Sequence, residues 1–221
     1  MSVVDGFTGA ELVTAVAELL GPDPSKTDVQ KQILRYIEYA QLKIFNFHDW
    51  PELIVSDCSF DTDGSDSYDL TDADNYIGAT FGRIAHDTMR IGTKFLTEAS
   101  RPAMVYNDPS YVSGGSVSHY CLLSRKKLFL YPIGASNGDT VKFDYVKIPT
   151  AITYDSTAAE NSFEPWNHQL IIEGALWPGM RKYGKPDWMQ QKMFFYQLLK
   201  EYKTRSKTIK RGSQFIKPIS F

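Results

Sequence analysis

The sequence predicts an α+β protein. An α-helical bundle is formed by N- and C-terminal helices, and an antiparallel β-sandwich or barrel-like region is inserted between them. Three observations lead there. Apolar residues recur at helical spacing between Thr27 and Phe47. From Leu53 the period falls to two, and β-branched and aromatic residues gather as far as Ile148. Helical period then returns after Pro165. Each helical block carries an apolar face too broad to stand alone, so packing the two blocks together is the economical way to bury both.

Taken in order, Thr8-x-x-Glu11 is a capping box that opens a first helix over about Gly9 to Leu20. Gly21-Pro22-Asp23-Pro24 ends it. Thr27-x-x-Gln30 reads as a second capping box. In the helix that follows, Ile33, Ile37, Ala40, Ile44 and Phe47 fall on one face, widened by Leu34, Leu42 and Phe45. Lys31, Arg35, Glu38 and Lys43 mark its polar side. The helix must stop near Trp50, because Pro51 disfavours helical backbone at the residue before it. Leu53 to Phe60 alternates as a strand, Asp61 to Asp66 is a turn, and Tyr68 to Leu70 pairs back. Arg83 to Gly92, Ser118 to Ser124, Lys127 to Tyr131 and Thr140 to Ile148 are further strands. Thr93 to Val105 fits either a short helix or extended chain. The linker after Pro149 leads to an apolar helix from Pro165, which Pro178-Gly179 should kink or split. A last helix, about Pro186 to Lys203, carries Trp188, Met189, Met193, Phe195, Tyr196, Leu198, Leu199 and Tyr202. The expected segments are 1–52 and 151–206 for the helical part, 53–150 for the β-rich insert, and 207–221 for a basic tail.

Chemistry-bearing patterns are sparse. A formal net charge of -2 over 221 residues provides no global basic field for nucleic acid. Two cysteines, Cys58 and Cys121, make neither a disulfide framework nor a metal motif. His48, His86, His119 and His168 lack any metal-ligand spacing, so ordinary structural or surface roles are expected. Asp61-Thr62-Asp63-Gly64 faintly resembles a calcium loop but lacks its later ligands, and reads as a solvated turn. No phosphate-binding glycine loop or nucleophile elbow occurs. No enzymatic role, cofactor or metal is expected. Met1 to Gly9 has no basic region followed by an apolar run, and no stretch is long and apolar enough to span a bilayer, so neither signal peptide nor membrane partner is expected.

The most distinctive charged feature is the C-terminal end. Lys203, Arg205, Lys207, Lys210, Arg211 and Lys217 are accompanied by no acidic residue. Three readings stand beside one another: a solvated end, a phosphate-contacting arm, and a segment that docks on a partner. Phe215, Ile216, Ile219 and Phe221 favour docking, because apolar anchors are what a docking segment buries. Free of its partner, the end from Lys203 onward should be unstructured.

The helix-then-ILRYIEYAQLKIFNFHDWPEL run over Ile33 to Leu53, followed by Phe60, Thr62, Gly64 and Tyr68-Asp69-Leu70, resembles tailed-bacteriophage head-to-tail adaptor (connector) proteins. Lys127-Leu-Phe-Leu-Tyr-Pro132, Val141-Lys-Phe-Asp-Tyr145 and the closing helix pair extend the resemblance over nearly the whole chain. It implies a structural virion protein of the neck, between capsid portal and tail, assembled in the host cytoplasm. It implies a homo-oligomeric ring, usually twelve-fold, that binds the portal protein, extends the DNA channel and offers a platform to a tail or nozzle protein. DNA would pass through without sequence-specific binding. The Lys203 to Phe221 end would be the portal-docking arm. Alternatives are another neck or tail component, such as a tail-tube or nozzle protein, and a carbohydrate-binding module using Tyr106, Tyr111, Tyr120 and Tyr131 as stacking surfaces. If the helical core covers the Ile33/Ile37/Ile44/Phe47 face, ring contacts should come from Lys31, Arg35, Glu38 and their neighbours.

Overall fold

The structure, a computed structural model, describes residues 7–65, 67–72, 76–100, 116–132, 137–157 and 165–213; at 137, 165–167 and 206–213 it describes the backbone alone. Among the described residues, four α-helices and two sheets make it an α+β protein. The chain divides into two compact units, one comprising Met1–Glu52 with Pro149–Phe221, the other Leu53–Ile148.

In the first unit, α1 spans Gly9–Leu20 and α2 spans Thr27–Phe47. The Thr8 cap is as the spacing predicts: the Glu11 N–H donates to the Thr8 hydroxyl, and the Thr8 N–H donates back to the Glu11 carboxylate at 2.7 Å. Gly21, at φ 92°, closes the helix by donating its N–H to the Ala17 carbonyl. The second predicted box is overturned. Lys26 is extended and occupies the N-cap position without a side-chain bond, so Thr27 is already helical. Gln30 instead donates to the Pro24 carbonyl at 2.9 Å, tying the helix to the turn before it. At the far end α2 stops at Phe47 rather than Trp50. His48 is extended, and the buried Trp50 ring N–H takes the Ile44 carbonyl at 2.7 Å. That bond satisfies one of the carbonyls a helix end leaves open.

The next two helices are α3, Pro165–Lys182, and α4, Trp188–Ser213. α3 packs against each of the other three. It does so through small residues. A methyl on Gly174 would stand 2.8 Å from both the Ala40 Cβ of α2 and the Phe195 ring of α4. Gly179 lies directly beneath Leu20 of α1. The Pro178 ring does not split the helix, which runs on to Lys182. Ile33, Ile37, Ala40, Ile44, Leu170, Ile171, Ala175, Phe195 and Leu199 are fully buried, each large aliphatic among them worth about 1.5–3 kcal/mol of burial. Leu42, expected to widen the buried face of α2, is exposed. α4 exceeds its expected end at Lys203 by ten residues. Thr204 to Arg211 contains no glycine or proline, and the expected loss of structure from Lys203 does not occur through Ser213.

A single turn of 3-10 helix, Pro51–Leu53, carries the chain from the first unit into the second and leads into β1, Ile54–Asp63. The remaining strands are β2 (Tyr68–Asp69), β3 (Phe81–Ile84), β4 (Arg90–Ile91), β5 (Lys94–Phe95), β6 (Thr97–Glu98), β7 (His119–Leu123), β8 (Lys127–Tyr131) and β9 (Asn137–Lys147). One sheet has the order β1-β9-β4-β5, with β3 also on β9; the other has the order β2-β8-β7-β6. All pairings are antiparallel except β6 with β7. Both sheets contribute to one apolar core, with Phe60, Val141 and Phe143 from the first meeting Tyr68, Tyr120, Leu128 and Leu130 from the second. Among the described strands no ladder joins the sheets into a barrel.

The strand expected over Arg83 to Gly92 is two strands on one partner. Asp87 has φ 56°, and the Thr88 hydroxyl donates to the Ala85 carbonyl at 2.8 Å while accepting from the Asp144 N–H at 3.1 Å. The side chain thus replaces ladder bonds where the backbone turns out of the sheet.

Candidate functional site

Among the described residues no group of three or more His, Cys, Asp or Glu could hold a metal ion. The four histidines occupy four different settings. His48 stacks edge-on to Trp50, exposed His86 lies beside Asp87, and His119 meets the Ser118 hydroxyl at 2.8 Å. His168 is buried; its Nδ1 accepts from the Phe7 N–H at 3.4 Å, and its Nε2 has no partner. Burial pushes its pKa down. The aspartates of the calcium-like turn are spent on local bonds. Asp63 accepts from the Ser65 hydroxyl and N–H, Asp69 from the Thr71 hydroxyl and N–H, and Asp61 from the Thr140 hydroxyl. Those bonds hold the Asp63 and Asp69 carboxyls below their ordinary range. Asp66 lies outside the described residues.

Of the carbohydrate-stacking set only Tyr120 and Tyr131 are described, and Tyr120 offers no open stacking surface. Tyr120 is buried, and desolvation pushes its hydroxyl up to about 12. Tyr131 is half-buried against His119, and Tyr106 and Tyr111 lie outside the described residues.

The geometry points instead to the outside of α4. Its inner face, Phe195 and Leu199, is fully buried. Met189, Met193 and Phe194 are exposed, Met193 at 69%. With Tyr196 and Lys200 they line one shallow groove along the helix. Lys192 holds its ammonium 5.2 Å over the Trp177 ring, and Tyr39 meets that ring edge-on. Further along, Lys203 sits over the Phe47 ring at 5.6 Å and Arg205 over Tyr202 at 5.6 Å. Of the residues expected to dock, Lys203 and Arg205 are thus placed on this helix. Lys207, Lys210 and Arg211 lie on its backbone course, and Phe215, Ile216, Lys217, Ile219 and Phe221 lie outside the described residues. The sequence marks Met189 and Met193 as helical apolar positions, which serve as core unless the bundle leaves part of the stripe open as a subunit interface. The signal for two faces is there: Phe195 and Leu199 are one four-residue pair, Met189 and Met193 another, at a different angle around the helix.

Among the described residues, this apolar stripe edged by cations is the kind of surface on which protein partners dock. The sequence matches the model of the SU10 adaptor protein family over residues 7–215. The chain belongs to that family. It is a phage adaptor, as the resemblance of its helices and paired strands implies. No individual curated protein matches it. The matched span includes all four helices of the adaptor and both sheets, and ends two residues past α4.

Proposed function

We propose that this adaptor is a non-enzymatic structural protein of the virion neck. Copies of it form a ring of about twelve subunits on the portal protein. The ring prolongs the DNA channel and presents a platform to the tail or nozzle protein. The observation that carries the reading is the outer face of α4, where Met189, Met193 and Phe194 stand in solvent on a helix whose core contacts are already made. A protein that worked alone would have no use for a stripe of this kind. The basic course of the helix beyond Lys200 continues toward the C-terminal segment, which we assign to portal docking. A near-neutral net charge of -2 suits a channel through which DNA slides. Assembly takes place in the host cytoplasm, before or during attachment of the tail.

The test is electron microscopy and mass photometry of the full chain, alone and mixed with portal rings of the same virion. Rings, or a defined number of copies on each portal, are expected. A chain that neither forms rings nor binds portal overturns the reading. A chain truncated after Arg205 should still self-associate and should lose portal binding.

A further inference from the structure

We propose that the outer face of α4 receives a second copy of this chain, and that the part it receives is the outer face of that copy's α1. The inference rests on the ring reading above and names the surfaces that would make the ring.

Two kinds of complementarity support it. The first is charge. α4 carries seven Lys and Arg against a single acid, Glu201. α1 carries Glu11 and Glu18 and no basic residue. Both glutamates are exposed and lie seven positions apart, on one line of the helix about 10 Å long. Lys192, whose ammonium also lies over the Trp177 ring, and Lys200 line the α4 groove eight positions apart, about 12 Å along the axis and about 80° around it. Two acids can therefore meet two ammonium groups across one pair of crossing helices. The second is apolar. Leu19, 60% exposed beside Glu18, is the matching projection for the groove formed by Met189, Met193 and Phe194.

The other occupants fit less well. α4 set against α4 of a two-fold partner would bring the two lysine-bearing faces together, which costs energy through like-charge repulsion. The outer face of α2 would offer Lys31 and Arg35 to Lys192 and Lys200, with Glu38 as its main acid. α1 and α4 each pack on α3, and each keeps its own outer face. Two different patches on one protomer are what a head-to-tail contact needs, and head-to-tail contacts form a ring when their rotation closes.

The test uses charge reversal in the full-length chain, with self-association followed by sedimentation and mass photometry, alone and on portal rings. One variant combines Glu11→Gln, which can keep the cap on Thr8, with Glu18→Lys. The other combines Lys192→Glu with Lys200→Glu. Each alone should weaken self-association about tenfold or more, and added salt should weaken the wild type. An equal mixture of the two variants should restore it, since each reversed α1 then meets a reversed α4. Restoration in the mixture also shows that both variants are folded. Lys31→Glu with Arg35→Glu should leave self-association unchanged. If the wild type assembles and neither reversal weakens it, or the α2 variant alone does so, the inference is overturned while the ring reading stands. If the wild type never self-associates, alone or on portal rings, both fall. Portal binding by single copies would then leave only the portal-docking part of the proposed function standing.

Discussion

A methyl group placed on Gly9 would fall inside the Thr153 carbonyl, a backbone atom that cannot swing aside. Gly9 also donates its N–H to the Ser156 carbonyl at 2.9 Å, so the start of α1 lies flat against the segment that precedes α3. Gly9→Ala should cost about 1–3 kcal/mol in the unfolding free energy, read by denaturant titration. His168 sets a pH dependence. Its folded pKa is depressed by burial, whereas the unfolded chain takes up its proton near pH 6.5. Below about pH 6.5 the unfolded state therefore binds more protons, and stability falls as pH drops toward the folded pKa. Above that window this residue contributes no slope. Denaturation midpoints of the wild type should decline between pH 7 and 5 more steeply than those of His168→Gln. Neither setting is legible in the sequence, because neither Gly9 nor His168 has a local partner that spacing could reveal; both are defined by chain more than a hundred positions away.

At the scale of an element, the pair of threonine caps shows what spacing can and cannot say. Thr8-x-x-Glu11 and Thr27-x-x-Gln30 obey the same pattern, but only the first is a capping box. The pattern names the partners without saying which residue is extended, and in α2 that residue is Lys26. Thr8→Ala should destabilise the protein by about 1 kcal/mol and Thr27→Ala by much less, a contrast measurable by thermal unfolding. Gln41 is similarly placed in α2. Its amide donates to the Thr150 carbonyl at 3.1 Å and accepts from the Ile152 N–H at 3.4 Å. Gln41→Leu would keep its bulk but strand two buried backbone groups, at about 1–3 kcal/mol. The helical and extended periods were legible in the longer elements, since burial imposes them directly on the residue pattern, but not over Arg83 to Glu98, where the strands are short. Two apolar stripes on α4 were legible too, but which of them is buried was not, because Met193 and Leu199 are equally apolar and only the neighbouring helix decides between them.

For the whole molecule, the helical unit draws on both ends of the chain and the strand unit on the middle. Leu199 is the last fully buried side chain among the described residues. Deletion of residues 206–221 should therefore leave the melting temperature unchanged. Deletion from Trp188 onward removes Phe195 and Leu199 and should abolish cooperative unfolding of the helical unit, seen as a lost transition in circular dichroism. The α+β class was legible because the order of periods, helical, then alternating, then helical, survives in the fold. The pairing of β6 with β7 in parallel was not, since strands this short carry too few residues to advertise a partner.

That interleaved connectivity also governs the order of events on the ribosome. α2 emerges with Ile33, Ile37 and Ile44 bare, and their cover on α3 follows more than a hundred codons later. At ordinary elongation rates the wait is on the order of ten seconds. The strand unit, contiguous in the chain, has all its residues translated first. The groove on α4 is built after the other described elements, on a helix that rests on α3, so a nascent chain has no finished groove to offer a neighbour until its helical unit can close.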